Sequence, residues 1–269
     1  MKTTMTALAA ITLVLGTAAC SGGAESDTAE ATAATGIVGT WTVNLDSAEW
    51  ENANSNYAIA DGEYTCNSCL PPYSVAADGN WQSVDRPGLD QVMITVVDDN
   101  TVELASRFEG EDQGKSVWTV GEDGQTMTIN WTNYEDAGET TGTSMMTRVE
   151  AGPDGSHAAS GEWAPAGVSE MSDEARSVTI TEDGDTITFA SFGGGYTATL
   201  GGDAVTIDGD NSGTMVAIEK TGDNTYRETF TRDGETTGVN DWTVDGDTLT
   251  VVATDPRDDS KVSWTATRQ

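Results

Sequence analysis

Residues 99–120 read DNTVELASRFEGEDQGKSVWTV, and residues 223–244 read DNTYRETFTRDGETTGVNDWTV. Aligned without a gap at an offset of 124, the two stretches share nine of 22 positions. Asp99-Asn100-Thr101 falls on Asp223-Asn224-Thr225, Gly110-Glu111 on Gly234-Glu235, Gly114 on Gly238, and Trp118-Thr119-Val120 on Trp242-Thr243-Val244. With small insertions the match continues, placing Asp123-Gly124 on Asp245-Gly246 and Thr147-Arg148 on Thr267-Arg268. Upstream, Gly39-Thr40-Trp41 lies 122 residues before Gly161-Glu162-Trp163. The chain therefore carries two copies of one module of about 110 residues, the size of a domain rather than of a solenoid repeat. Read in order, the modules span 37–150 and 159–269, with a turn-rich linker at 151–158 between them.

Within each copy the periodicity is two. Thr126-Met127-Thr128-Ile129-Asn130-Trp131, Val178-Thr179-Ile180, Thr186-Ile187-Thr188-Phe189 and Thr248-Leu249-Thr250-Val251 alternate polar and apolar residues, as strands with one buried face do. Asp-Gly pairs at 61–62, 78–79, 123–124, 183–184, 233–234 and 245–246 separate them, the dipeptide that accepts the positive φ of tight hairpins. About ten strands of six to eight residues fill such a module and leave no room for crossover helices. The fold class predicted is all-β: two tandem antiparallel up-and-down barrels, since closing each sheet buries its apolar face and removes its edges. Leu45–Trp50 and Ser169–Ala175 break the alternation and predict short helical lids.

The composition limits the partners. Of 269 residues, 45 are Asp or Glu and 12 are Lys or Arg, a formal charge of −33. Neutralising a phosphate backbone takes Lys and Arg, so nucleic acid is excluded. An anionic membrane surface is excluded as well unless a covalent anchor supplies the attachment.

The first segment is an address. Residues 1–19 pair Met1-Lys2 with the apolar run Ala7–Ala19, too short to span about 30 Å of hydrocarbon, and read as a signal peptide. Leu15-Gly16-Thr17-Ala18-Ala19-Cys20 resembles the lipobox of bacterial lipoproteins, which implies lipid attachment at Cys20; the alternative is plain secretion with cleavage after Ala19. Ser21 after the Cys implies, by the same resemblance, the outer membrane. Ser21–Gly36 holds no large apolar side chain and reads as a flexible tether of roughly 20–25 Å.

Gly39-Thr40-Trp41 opening the first strand, a meander, and Arg148 near the last strand's end resemble the lipocalin and fatty-acid-binding superfamily; Gly161-Glu162-Trp163 with Arg268 repeats the pattern. A closer likeness is to uncharacterised bacterial envelope proteins whose lipocalin-like modules carry a Gly-Thr-Trp-x-x-Asn motif, here Gly39-Thr40-Trp41-Thr42-Val43-Asn44. The resemblance implies that Trp41 and Trp163 pack under Arg148 and Arg268 to close one barrel end, a contact worth about 0.5–2 kcal/mol per pair. The Arg-x-Tyr pair with which fatty-acid-binding proteins hold a carboxylate is missing from both last strands.

Four further features are candidates for chemistry. Cys66 and Cys69 form an even pair around the turn formers Asn67-Ser68, which predicts a disulfide, with a redox pair or a metal half-site as alternatives; Thr188 and Ser191 stand at about these places in the second copy. Asp208, Asp210, Ser212 and Glu219 match the spacing of a calcium loop, but strands rather than helices flank them, so an acidic hairpin competes with weak Ca2+ binding. The single His157 falls in the linker, where it is expected to be solvated, and without a second His no nucleophile–base relay can be built. Phe192-Gly193-Gly194-Gly195-Tyr196 marks a bend, a bulge or a close approach to backbone, with bend or bulge preferred. Trp50, Trp81, Trp131 and Trp264 are read as packing residues rather than a carbohydrate platform.

These features point to a non-enzymatic envelope lipoprotein with no cofactor. The favoured expectation is that each barrel holds a small apolar or amphipathic ligand, by superfamily analogy. The rival is a structural or interaction protein with filled barrels, whose acidic surface or inter-module cleft engages an envelope partner. An interior rich in large apolar side chains favours the rival.

Overall fold

The computed structural model describes residues 36–135 and 138–269; the signal peptide, Cys20 and all but the last residue of the tether lie outside them. The strands are β1 (Gly39–Glu51), β2 (Ser55–Ala60), β3 (Glu63–Cys66), β4 (Tyr73–Ala76), β5 (Asp78–Arg86), β6 (Leu89–Asp98), β7 (Thr101–Phe108), β8 (Glu111–Val120), β9 (Thr126–Glu135), β10 (Gly138–Ala151), β11 (Gly161–Met171), β12 (Ser177–Asp183), β13 (Thr186–Ser191), β14 (Gly194–Thr199), β15 (Val205–Thr206), β16 (Met215–Gly222), β17 (Thr225–Arg232), β18 (Glu235–Asp245), β19 (Thr248–Asp255) and β20 (Ser260–Arg268). They form two ten-stranded antiparallel sheets, each rolled into a nearly closed barrel. Tight Asp-Gly turns link many of the pairs, and at Asp61-Gly62 and Asp233-Gly234 both residues take positive φ, the geometry of a type I′ hairpin.

The barrels do not follow the division 37–150 and 159–269. One sheet runs β14-β13-β12-β1-β20-β19-β18-β17-β16-β15 and the other β4-β3-β2-β11-β10-β9-β8-β7-β6-β5. The first strand of each module thus sits in the barrel of the other. In chain order, residues 55–171 build one barrel without interruption, and that barrel is inserted between β1 and β12 of a second, split barrel. The physical cause is the equivalence of the two Gly-x-Trp strands. Trp41 pairs with Val178 and Arg268 across its strand neighbours, and Trp163 pairs with Ser55 and Arg148 in the same way, so either strand satisfies either slot. From Trp41 to Glu51, β1 lies along Arg268 to Lys261 of β20, about 24 Å at roughly 3.4 Å per residue, enough to traverse its own barrel and deliver the chain to β2 after only three residues. The same topology makes the linker at 151–158 a connection inside the inserted barrel, between β10 and β11, rather than a joint between barrels.

The two helical lids are corrected. Leu45–Trp50 lies within β1, where Asn44–Glu49 is a wide bulge against β20: the Ser47 hydroxyl accepts the Thr265 N–H at 2.8 Å, in place of a ladder carbonyl. Tertiary pairing there overrides helix propensity. In the second segment β11 extends to Met171, and only a single 3-10 turn at Glu174–Arg176 follows.

Each barrel has one apolar core. In the split barrel it includes Ile37, Trp41, Ile187, Ile218, Tyr226, Trp242 and Leu249; in the inserted barrel, Ile59, Tyr64, Ile94, Trp118, Met127 and Trp163. The turns opposite the Trp–Arg ends meet one another, with the Asn211 amide donating to Gln113 Oε1 at 3.1 Å and Ser212 packing near Gly88.

Candidate functional site

The predicted closure residues form two matching sites with exchanged partners. The Arg268 guanidinium lies 4.1 Å from the centroid of Trp41, and that of Arg148 lies 4.0 Å from the centroid of Trp163. Each indole is buried and donates to a carbonyl four residues upstream, Trp41 to Ile37 at 2.9 Å and Trp163 to Ala159 at 3.0 Å. Arg148 donates to the carbonyls of Gly124, Ala158 and Ser160, and Arg268 to those of Gly36, Val38 and Gly246. The Gly of Gly-x-Trp is required in both copies, at φ +148° for Gly39 and +127° for Gly161. A Cβ on Gly39 would stand 2.7 Å from Arg268 Nη1 and push the guanidinium off the ring, whereas one on Gly161 would first meet the Glu150 backbone carbonyl and then Arg148 Nη1 at 2.9 Å.

A site that sequence reading missed lies midway along the split barrel. Glu228 on β17 points inward and is 2 % exposed. Its Oε2 accepts from the Asn240 amide of β18 at 2.8 Å, and its Oε1 is hydrogen-bonded to the Tyr196 hydroxyl of β14. The Trp242 indole N–H is buried close by, aimed at the carboxylate without completing a hydrogen bond. Phe189 stacks on Tyr196, ring centroids 5.4 Å apart. Burial raises the Glu228 carboxyl to about 7, against the lowering pull of the Tyr196 and Asn240 hydrogen bonds. The Tyr196 hydroxyl is pushed up in turn, by burial and by the neighbouring carboxylate. No ion pair reaches Glu228 among the described residues. Chemically, the cluster can hold or release one proton in a dry interior.

The other candidates resolve as follows. Cys66 and Cys69 are joined in a disulfide, with Cα atoms 5.3 Å apart. By strand register the residue matching Cys66 is Phe189, since Tyr57 pairs with Cys66 as Ile180 pairs with Phe189. Asp210 is occupied within its own loop, its carboxylate accepting from the Ser212 hydroxyl at 2.7 Å and the Thr214 N–H at 2.8 Å. Glu219 sits on β16 opposite Arg227, and among the described residues no three acidic, His or Cys side chains are gathered as a metal would need, so Asp208, Asp210, Ser212 and Glu219 do not converge.

His157 is corrected from solvated to structural. Its Nδ1 accepts the Ala159 N–H at 3.1 Å, which leaves the Nε2–H to donate to the Asp98 carbonyl at 2.7 Å, pinning the β10–β11 connection to the closed end. The triple-glycine stretch is a bend, as expected: Phe192-Gly193 turns β13 back into β14, with Gly193 at positive φ, and the glycines that follow also allow a close approach. Gly195 bridges Asp208, and a Cβ on Gly194 would stand 2.2 Å from the Asp208 carbonyl oxygen, so the chain's own backbone is what comes near. Trp264 packs on the split-barrel core, while Trp81 faces outward under the Arg107 guanidinium at 4.0 Å.

No protein-family model matches the chain, and neither a curated protein nor a solved structure matches it.

Proposed function

We propose that the protein is a lipid-anchored, non-catalytic structural or interaction module of the cell envelope, with barrels filled by their own side chains and an acidic exterior that meets an envelope partner. The observation that carries this reading is the filling of both interiors by rings: Trp41, Tyr226 and Trp242 in one barrel, Tyr64, Trp118 and Trp163 in the other, each at most 6 % exposed. Interiors packed to protein density with large side chains leave little room for a guest. Two grooves, of about 470 and 440 Å³, lie outside the barrels, one against the outer faces of β8 to β11 and one beside the β10–β11 connection. Lipidation at Cys20 and an outer-membrane address belong to the same proposal and rest on the lipobox-like stretch.

Native mass spectrometry of protein purified from its own host tests the reading. The expected result is the lipidated mature chain alone, together with no fluorescence gain from an apolar dye. A stoichiometric co-purifying small molecule would establish the ligand-carrier alternative instead.

A further inference from the structure

In the inserted barrel the edge strands β4 and β5 follow one another through the single residue Ala77, whose N–H is held by the Gly62 carbonyl at 2.8 Å. In the split barrel the edge strands β14 and β15 are separated by Leu200–Ala204, β15 has two residues, and the ladder between the edges reduces to one bridge at Gly195 and Asp208. From inside, that seam is spanned by the hydrogen bond of Tyr196, next to Gly195 on the edge strand, to Glu228 on β17. The position equivalent to Glu228 in the inserted barrel, at the offset of 124, is Leu104, and that equivalent to Asn240 is Ser116.

We propose that Glu228 makes the seam between β14 and β15 a proton-dependent latch: the protonated carboxyl holds the split barrel shut, and loss of the proton loosens it, while the inserted barrel has no such latch.

The groups around Glu228 explain why ionisation is poorly tolerated. From β14 it meets Tyr196, from β16 the cross-strand Ile218, and from β18 Asn240 and Trp242; Phe189 of β13 lies behind Tyr196. Trp41 of β1, Ile180 of β12, Leu249 and Val251 of β19 and Ala266 of β20 complete the same core, all uncharged. Lys220 stacks near Tyr226 at 5.7 Å and forms no ion pair with Glu228, and Asp208 at the seam is exposed. The Tyr196 and Asn240 donors offset part of the cost of ionisation, but a fully buried carboxylate with no counter-charge still bears the cost of lost hydration and draws in water. Tyr196, which holds the carboxyl, adjoins the one-bridge seam at Gly195, so opening there brings water to Glu228.

The sign follows from proton linkage. A carboxyl whose folded-state value is raised from 4.5 to about 7 keeps its full contribution below about pH 4.5 and loses it as the pH rises through about 7. At saturation the loss is up to about 300-fold in the closing equilibrium, the ratio set by that shift.

Hydrogen exchange of the full chain, corrected for the intrinsic pH dependence, reads the seam directly at about pH 5.5 and about pH 8.5. The expected result is loss of protection in β14 to β17 at the higher pH, at least tenfold, with β4 to β7 unchanged, and no such loss in Glu228→Gln. Equal protection at both pH values, or a loss that persists in Glu228→Gln, overturns the proposal. Should Glu228→Gln fail to fold, the carboxyl carbon of Glu228 in the wild-type chain, followed by NMR, keeps the test open: titration above about pH 6 supports the latch and titration below about pH 5 overturns it.

Discussion

The inserted and split barrels carry the same module and the same Trp–Arg closure, yet they are held shut at their seams by different means. In the inserted barrel the edges are joined tightly through Ala77, Arg86 of β5 lies 4.7 Å over the Tyr73 ring of β4, a Cys66–Cys69 disulfide ties the adjoining β3–β4 turn, and Leu104 stands on the inner face. In the split barrel the edges are joined by the longer Leu200–Ala204 connection, with no disulfide among the described residues. Its seam relies on one backbone bridge and on a buried polar pair, and its sheet is complete only when residues from both ends of the chain meet, since Trp41 on β1 pairs with Arg268 on β20. A closed β-barrel tolerates large differences in how one seam is fastened because the remaining ladder supplies most of its hydrogen bonds. The difference shows in which barrel opens first, not in the fold.

The largest effect that tests this comparison comes from the closing indoles. Trp41 and Trp163 are both fully buried, and replacing either with Ala should cost about 3–5 kcal/mol through lost burial and the cavity left behind. The informative part is where the cost falls. Trp41→Ala should lower hydrogen-exchange protection in β12 to β20 and spare β2 to β11, and Trp163→Ala should do the reverse. If each substitution instead loosened the barrel of its own sequence half, the exchanged strands would be refuted.

A smaller effect is expected from the staple. Replacing Cys66 and Cys69 together with Ser removes a loop of about four residues, worth roughly 2 kcal/mol in the chain-entropy account. Chemical denaturation followed through exchange should show that loss in the inserted barrel alone, narrowing the gap between the two barrels. A loss shared equally by both would mean that they unfold as one unit.

Much of this architecture was legible in the sequence, for identifiable reasons. Polar–apolar alternation and Asp-Gly turns are local, and they gave the strands and hairpins; the repeat gave two barrels; Gly-x-Trp with a distant Arg gave the closures. The exchange of β1 and β11 was not legible, because Gly39-Thr40-Trp41 and Gly161-Glu162-Trp163 fit both slots equally and pairing between distant strands leaves no local mark. Glu228 left a signal that could have been followed. It falls between Tyr226 and Phe230 on the inward-facing side of β17, so its burial follows from the period of two, and the repeat sets an apolar Leu104 at the same place. The helical reading of Leu45–Trp50 failed because its helix formers are held in a bulged strand by β20, a partner more than 200 residues away.

The smallest effect is expected at the surface, where charge is most abundant. Arg227 and Asp241 form a two-point ion pair on the outside of the split barrel, at 2.7 and 3.1 Å, with both side chains nearly half exposed. Solvent screening limits such pairs to about 0–1 kcal/mol, so Asp241→Asn should shift stability by less than about 0.5 kcal/mol at physiological salt and by less still at about 1 M. The pair sits on β17 and β18, the strands that carry Glu228 and Asn240 on their inner faces. Asp241→Asn and Glu228→Gln therefore remove a carboxylate from opposite faces of the same two strands. If the outer substitution matched the inner one in its effect on the seam, net charge rather than burial would govern the split barrel; unequal effects, with the inner one dominant, locate the control in the dry interior.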